Sequence, residues 1–396
     1  VNLNDISNYS DVDSIEFANS FDNEESTEST ETNLIAGGEG LIDYSGGDFS
    51  DTTTLDGKAV FTLGGVEYAK VKTDGQESVT AAYMYQLNLN TSFNGDDNLY
   101  VRLKAGNHSS SAWSATKTFG GYLSAANTNA DAIKVDKIWY TLPVDDNNTV
   151  YIGPKIENYY MHGTTPSIYQ PVTKQFTLGG NGDAYGASTD SGIGWAYKGD
   201  NGFAVSSNVV SKGNGSTNGV LTDQAKTSWA TQVGMTKDQY AISAIVNIKS
   251  NSWTDGYYEE AGHFGTTNGS ATFGNFTSIG LRAWWRPEDS GSATPSVSLG
   301  YDTTSYDGST AATDNATAYF VGLSWADLFQ ADDKVGIAFG QPTTNESTTT
   351  DPFAYELYYS FKPNDSIETT PAVFGGSDRN GTAGDDIFGA VLQTTF

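Results

Sequence analysis

The chain of 396 residues contains no cysteine, so neither a disulfide framework nor a thiolate metal site is available to it. It has no run of 18 apolar residues, which excludes a membrane-spanning helix. Bases are scarce: 20 Lys and Arg stand against 48 Asp and Glu, a net charge of −28, and without a basic patch nucleic-acid binding is disfavoured. Histidine occurs only as His108, His162 and His263, on three separate polar stretches without ligand spacing, and each is expected to be solvated. Catalytic motifs are missing as well. There is no Gly-x-Ser-x-Gly elbow and no phosphate loop, and Glu259 and Glu260 would point to opposite faces of an extended segment. No catalytic residue, cofactor or metal site is therefore expected.

The composition does offer 23 Tyr, 19 Phe and 8 Trp beside 44 Gly, with abundant Thr, Asn and Ser. That is the vocabulary of twisted strands and turns, so the chain reads as all-β. Charge divides it. Residues 1–51 hold 13 acids and no base, whereas the rest carries 35 acids and 20 bases. We place the boundary near Phe49, with 1–48 an acidic, flexible N-terminal segment on the periplasmic side and 49–396 the folded domain. A short helix near "DVDSIEFANSF" (Asp11 to Phe21) that docks on a partner is the alternative for the first part. Val1 is no initiator and no signal peptide precedes it, as expected of a processed or trimmed mature chain.

From Phe49 onward apolar residues recur at every second position, the period at which a strand turns one face to an apolar environment. Leu55, Gly57, Ala59, Phe61 and Leu63 share a face, as do Tyr83, Tyr85, Leu87 and Leu89. Val150, Ile152, Pro154 and Ile156 form another set, and Tyr240, Ile242, Ala244, Val246 and Ile248 the clearest one. Sixteen such segments can be counted, the last ending on Phe396. Their connections alternate. Tight turns such as "NGDD" (Asn94 to Asp97), "DDNN" (Asp145 to Asn148) and "GDNG" (Gly199 to Gly202) follow even-numbered segments, and long polar stretches such as 107–131, 157–190 and 250–274 follow odd-numbered ones.

An antiparallel meander with short turns at one end and loops at the other is the arrangement of a transmembrane β-barrel. Closure removes the edges that a lipid-facing sheet could not tolerate. We therefore expect a 16-stranded antiparallel barrel with short periplasmic turns and long extracellular loops, wide enough at that strand number to enclose an aqueous channel. Tyr83, Tyr197, Trp229, Tyr240, Trp285, Tyr301 and Trp325 stand where the aromatic girdles of an apolar band about 25 Å tall belong. Phe396 fits the terminal aromatic of a last barrel strand.

Two stretches, "FSDTTTLDGKAVFTLGG" (Phe49 to Gly65) and "KIWYTLPVDDNNTVYIGPK" (Lys137 to Lys155), resemble the first strand and the fourth-to-fifth hairpin of cyanobacterial outer-membrane porins of the Som type. "IGLRAWWRPEDSGSATPSVSLGY" (Ile279 to Tyr301) fits them too, and the resemblance covers Phe49 to Phe396. These proteins are relatives of the carbohydrate-selective porins, and some carry the label of iron-uptake porins. The resemblance implies a homotrimer in the outer membrane that lets small hydrophilic solutes and ions diffuse through. Such porins commonly begin with a surface-layer-homology domain that attaches to cell-wall polymer; residues 1–48 are too short and too acidic to match it, which leaves peptidoglycan attachment open.

If the apolar sets face lipid, the lumen receives Asp56 and Lys58, Arg102 and Lys104, Lys137 and Trp139, Lys155, Lys249, and Arg282 with Trp284. The longest loop, 157–190, is expected to fold inward as a constriction loop carrying Tyr169, Phe176, Asp183 and Tyr185. A basic wall facing a partly acidic loop sets up a transverse field that could pass small anions, while acidic outer loops gather cations; the net preference stays open. The alternative is that these bases pair with neighbouring acids and only hold the lumen together. "GGNGDAYG" (Gly179 to Gly186) and "NGTAGDDIFG" (Asn380 to Gly389) look like calcium-binding nonapeptides, but isolated copies cannot form a β-roll. A second functional class also stands: a surface-displayed β-rich binding or adhesion protein without an open channel.

Overall fold

Strands with one apolar and one polar face can satisfy every backbone group next to lipid only by closing on themselves. The computed structural model describes residues 52–70, 77–108, 120–180, 182–185, 189–212, 219–220, 222–251, 253, 274–289, 291, 293–307, 315–345, 350–379 and 383–396. The acidic segment 1–48 and His263 lie outside these residues. The strands are β1 (Thr53–Tyr68), β2 (Thr80–Thr91), β3 (Asn98–Gly106), β4 (Lys134–Asp145), β5 (Asn148–Ile156), β6 (Asp190–Lys198), β7 (Phe203–Lys212) and β8 (Lys226–Lys237). They continue as β9 (Tyr240–Ser250), β10 (Asn275–Trp285), β11 (Ser296–Asp307), β12 (Asn315–Ala326), β13 (Lys334–Asn345), β14 (Phe353–Asn364), β15 (Ile367–Ser377) and β16 (Ile387–Thr395). Each pairs antiparallel with its neighbours in sequence, and β1 pairs with β16 to close the barrel.

The period-two reading holds along most strands. Phe61, Leu63, Ile193, Ile242, Ile248, Leu281, Leu299, Leu357 and Leu392 project outward and are exposed, with Trp229, Tyr240, Trp285 and Tyr301 among them. Their in-between neighbours, such as Ser228, Gln232, Asn247 and Ser278, are buried inside. Closure is completed at the last residue: Phe396 exchanges both backbone hydrogen bonds with Ala59 (3.2 and 2.9 Å), and its ring meets Phe61 at 5.0 Å.

β5 departs from the expected alternation. Its register against β6 jumps between Gly153 and Ile156, a bulge beside Pro154, which has no N–H for the ladder. The extra residue reverses the faces. Ile156, expected to point outward with Ile152, is fully buried inside. Lys155, expected in the lumen, lies opposite outward-facing Ile138 and donates Nζ to the carbonyl of Val135 at 2.7 Å.

Two turns share a device built on the same sequence pattern, "FNGDD" (Phe93 to Asp97) and "FQADD" (Phe329 to Asp333). Asp97 accepts hydrogen bonds from Ser92 Oγ and the backbone N–H groups of Phe93 and Asn94 at 2.8–2.9 Å, and from the Tyr140 hydroxyl at 2.5 Å. Asp333 accepts from the N–H groups of Leu328, Phe329 and Gln330 at 2.7–3.0 Å, and from the Tyr359 hydroxyl at 3.1 Å. In each the second aspartate ties its turn to a strand of the next hairpin, and the Phe ring rests beside that Tyr. Burial alone would raise the affinity of Asp97 for a proton, but the donors around it outweigh burial and hold its carboxyl well below the usual carboxylate range.

Asp97→Ala is expected to destabilise the barrel by about 1–3 kcal/mol, and Asp96→Ala, at an exposed neighbour, by less than about 0.5 kcal/mol. The midpoint of heat-modified mobility in gels checks this. Because the folded carboxyl binds its proton more weakly than the unfolded one, the gap between the two variants should shrink as pH falls below about 4.

Candidate pore lining and constriction loop

Irregular backbone inside a barrel must find hydrogen-bond partners on the wall or in water. The segment between β5 and β6 is such a case. Residues 158–180 and 182–185 fold into the lumen and are buried, apart from half-buried Thr165, Gln170 and Lys174. They include two short 3-10 turns, Asn158–Met161 and Lys174–Gly179. The expected inward loop is therefore present.

Side chains from the inner wall stitch it in place. The Gln232 amide exchanges two 2.9 Å hydrogen bonds with the backbone of Thr164, as a neighbouring strand would. Asn247 Nδ2 donates to the Ala184 carbonyl at 3.1 Å, Trp284 Nε1 to that of Thr165 at 3.1 Å, and Arg282 Nε to that of Leu178 at 2.8 Å. Ser298 Oγ accepts from the N–H of Ile168. On the far side Glu356, buried on β14, accepts four hydrogen bonds: from the Tyr169 hydroxyl (2.9 Å), the N–H groups of Val172 (3.1 Å) and Thr173 (2.8 Å), and Thr173 Oγ1 (2.6 Å). At Gly300 the loop passes so close that a Cβ would overlap the Gly179 carbonyl oxygen. Leu178, Gly179 and Gly180 turn the chain there with φ of 56°, 74° and 111°.

A second inward segment was not expected. Part of the β3–β4 connection bridges to the constriction loop: Ser124 N–H donates to the Val172 carbonyl (2.9 Å), and Lys174 N–H to that of Tyr122 (2.8 Å). The histidine expectation fails here for the same physical reason, loops that turn inward. His108 is buried; its Nδ1 accepts from the Asn127 N–H, so Nε2 carries the proton and donates to Thr62 Oγ1, whose own hydrogen goes to the Ala82 carbonyl. His162 is buried beside Ser206 and edge-on to Tyr185, and burial pushes its pKa down to about 3.

The bases named from sequence separate into two groups. Arg102 forms an ion pair with Asp136 and donates to the Tyr160 hydroxyl at 3.2 Å. Lys137 pairs with Glu157 and sits over the Tyr160 ring at 4.3 Å, within a run of rings formed by Tyr100, Trp139 and Tyr160. Arg282 pairs with Asp302 at 2.7 Å, both side chains less than 5% exposed (1% and 4%), and lies over the Tyr185 ring at 4.7 Å. Lys249 donates to the Asp183 carbonyl at 2.6 Å, and the Asp183 carboxylate accepts from the Tyr306 hydroxyl at 2.9 Å. These four bases, with Asp183 and Tyr185, are buried in the seam between loop and wall. Lys58 and Lys104 also face inward but stay half-exposed, opposite the two sides of Gln86. Asp385, in the second nonapeptide-like stretch, pairs with Arg379.

Sequence reasoning missed the residues that hold the loop, namely Asn208, Gln232, Asn247, Ser298, Asp302 and Glu356. Their one signal was position. Each is a hydrogen-bonding side chain at an inward place of a strand, and all but Ser298 are larger than the Ser, Ala or Gly that would suffice for a wet wall.

No family model matches the chain. A structure of Pseudomonas putida OprB at high pH superposes with a TM-score of 0.62 and 13% identity, covering 87% of this chain and 94% of that one. The fold is a porin fold. OmpT of Vibrio cholerae, an outer membrane protein lacking its loop L8 in that structure, gives a TM-score of 0.54 at 13% identity, over 87% of this chain and all (100%) of that one. A substituted porin of Rhodopseudomonas blastica gives 0.52 at 12% identity, over 87% and 99%. In sequence, an uncharacterized protein of Nostoc sp. is 25% identical over 401 residues, covering 88% of this chain and 66% of that protein. This chain thus spans a little under two thirds of that relative's length.

Replacing Glu356 by Ala leaves two buried N–H groups and two hydroxyls without their acceptor. Amide hydrogen exchange at Val172 and Thr173 should then speed up by roughly 10- to 100-fold, corresponding to about 1–3 kcal/mol, while amides of β8 to β10 keep their protection. Equal acceleration throughout the barrel would contradict a local role for Glu356.

Proposed function

We propose that this protein is a diffusion channel of a bacterial outer membrane, passing small hydrophilic solutes and inorganic ions through a water-filled lumen. The observation that carries the reading is the division of faces: an unbroken barrel with apolar and aromatic side chains outside, and polar side chains inside, some of which keep contact with solvent. A barrel meeting lipid on its outer wall needs that outer face, and a lumen that conducts needs that inner one. The porin fold of OprB, of OmpT and of the R. blastica protein supports it, since those chains share the barrel from end to end. Inorganic nutrients, iron among them, belong to the permeant class by size.

We further propose assembly as a homotrimer in a cyanobacterial outer membrane. The Nostoc relative supports the source, and an OmpT structure described as a trimer form supports the assembly by its shared fold. The second reading, a β-rich surface protein without an open channel, draws on one observation: the loop and its seam of ion pairs fill much of the lumen along β7 to β14.

Planar-bilayer recording of the detergent-purified full chain tests this. The expected result is stepwise, ohmic conductance, with steps grouped in threes if three barrels insert as a unit. Protein that is folded and β-rich yet leaves the bilayer silent would favour the binding protein.

A further inference from the structure

The strand register brings three lysines into one row on the inner wall. Lys58 of β1 lies opposite Gln86 of β2, Gln86 opposite Lys104 of β3, and Lys104 opposite Lys134 of β4. Residues in register share a face, and Gln86 is buried on the lumen side, so all three lysines point inward. With strands about 4.8 Å apart, Lys58 and Lys104 are about 10 Å apart at Cα and Lys134 is about 5 Å beyond.

The next row, toward the turns, is Asp56, Asn88, Arg102 and Lys137. Its charges are matched locally. Asp56 accepts from the amides of Asn88 (2.6 Å) and Asn90 (3.5 Å), Arg102 pairs with Asp136, and Lys137 with Glu157. Taken together the two rows set five bases, Lys58, Lys104, Lys134, Arg102 and Lys137, against three acids, Asp56, Asp136 and Glu157. The lysines of the first row are also the wettest of the five: Lys134 is exposed and Lys58 and Lys104 half-exposed, whereas Arg102 and Lys137 are buried.

Position matters as much as charge. Inward residues of β7 to β11, among them Ser206, Asn208, Gln232, Asn247 and Ser298, lie buried under the constriction loop. On β1 to β3 Val60, Thr62, Met84, Gln86, Tyr100 and Arg102 are buried as well, but Lys58, Asn88, Asn90 and Lys104 keep contact with solvent. Water in the lumen therefore reaches the lysine row, where an ion passes the three ammonium groups and the amides of Asn88 and Asn90 beside the exposed carboxylate of Asp56.

We propose that the row Lys58, Lys104 and Lys134 is an anion-recognising face of the permeation path, so that the channel prefers small mobile anions to cations although the chain carries a net charge of −28. The proposal rests on the channel reading above and names its permeant class. A pore selects by the charges along its water path, and most acids of this chain lie elsewhere. In water a unit charge about 7 Å from an ion changes the local concentration of that ion about threefold, enough for three lysines to set the sign of selectivity.

The test is the reversal potential of the full-length protein in a planar bilayer under a KCl gradient, for the wild type, for the triple variant Lys58→Gln/Lys104→Gln/Lys134→Gln, and for Lys155→Gln. The wild type should be anion-selective. The triple variant should lose at least about threefold in the chloride-to-potassium permeability ratio while still conducting, and Lys155→Gln, on the outer face, should match the wild type. Lys104→Glu alone, which keeps a charged side chain at that place, should shift the ratio the same way if the triple variant fails to fold. Conducting wild-type protein that prefers potassium would overturn the anion proposal and leave the channel reading standing, as would an unchanged ratio in the triple variant. Folded protein that never conducts would overturn both.

Discussion

The structure depends on one constraint: no peptide group next to the apolar outer face can be left without a hydrogen bond. Sixteen strands meet it by closing, and the seal is made between β1 and β16, where Phe396 exchanges backbone hydrogen bonds with Ala59. The terminal residue is thus a structural member whose ring sits in the outer face beside Phe61. Short turns follow from the same need, since the ends of adjacent strands must be joined without exposing a ladder. Asp97 and Asp333 do this twice with the same group, a carboxylate receiving three local donors and a tyrosine from the next hairpin.

Inside the barrel the constraint acts in a different way. A loop of irregular backbone has been folded into the lumen, and its peptide groups are satisfied by side chains of the wall rather than by a ladder. Gln232 imitates a strand toward Thr164, Arg282 and Asn247 donate to carbonyls, and Glu356 collects donors from 169–173. Charges employed in this way are no longer available to a permeating ion. Arg102, Lys137, Lys249 and Arg282 therefore hold the lumen together, whereas Lys58, Lys104 and Lys134 on the wall formed by β1 to β4 keep contact with water.

Much of this was legible in the sequence because a strand repeats at two residues and a meander alternates turns with loops. Sets such as Tyr240 to Ile248 announced their faces, and turns such as Asn94 to Asp97 announced the direction of the chain. Two kinds of feature were not legible. A bulge inserts one residue without changing composition, so Ile156 and Lys155 moved to opposite faces from those expected, with Pro154 as the sole hint. Partner choice across the lumen is set by three-dimensional proximity: nothing local to Glu356 says that it will meet Thr173, 183 residues away in sequence. Inward-folding loops also defeated the reading of His108 and His162 as solvated, since a polar loop in sequence can be a buried plug in space.

The central claim is that the segment after β5 lies against the inner wall as far round as β10 and beyond. The absence of cysteine allows a direct test, because any thiol introduced is the only one of its kind. Ala184 on the loop has its Cβ 2.9 Å from where a Cβ on Gly280 of β10 would stand, close enough for a bridge after a small shift. Mild oxidation of Ala184→Cys/Gly280→Cys in folded protein should join them nearly completely, seen as a reductant-sensitive change in gel mobility of the unfolded chain. Two thiols that stay free and react readily with a water-soluble maleimide would place the loop outside the lumen and contradict the account.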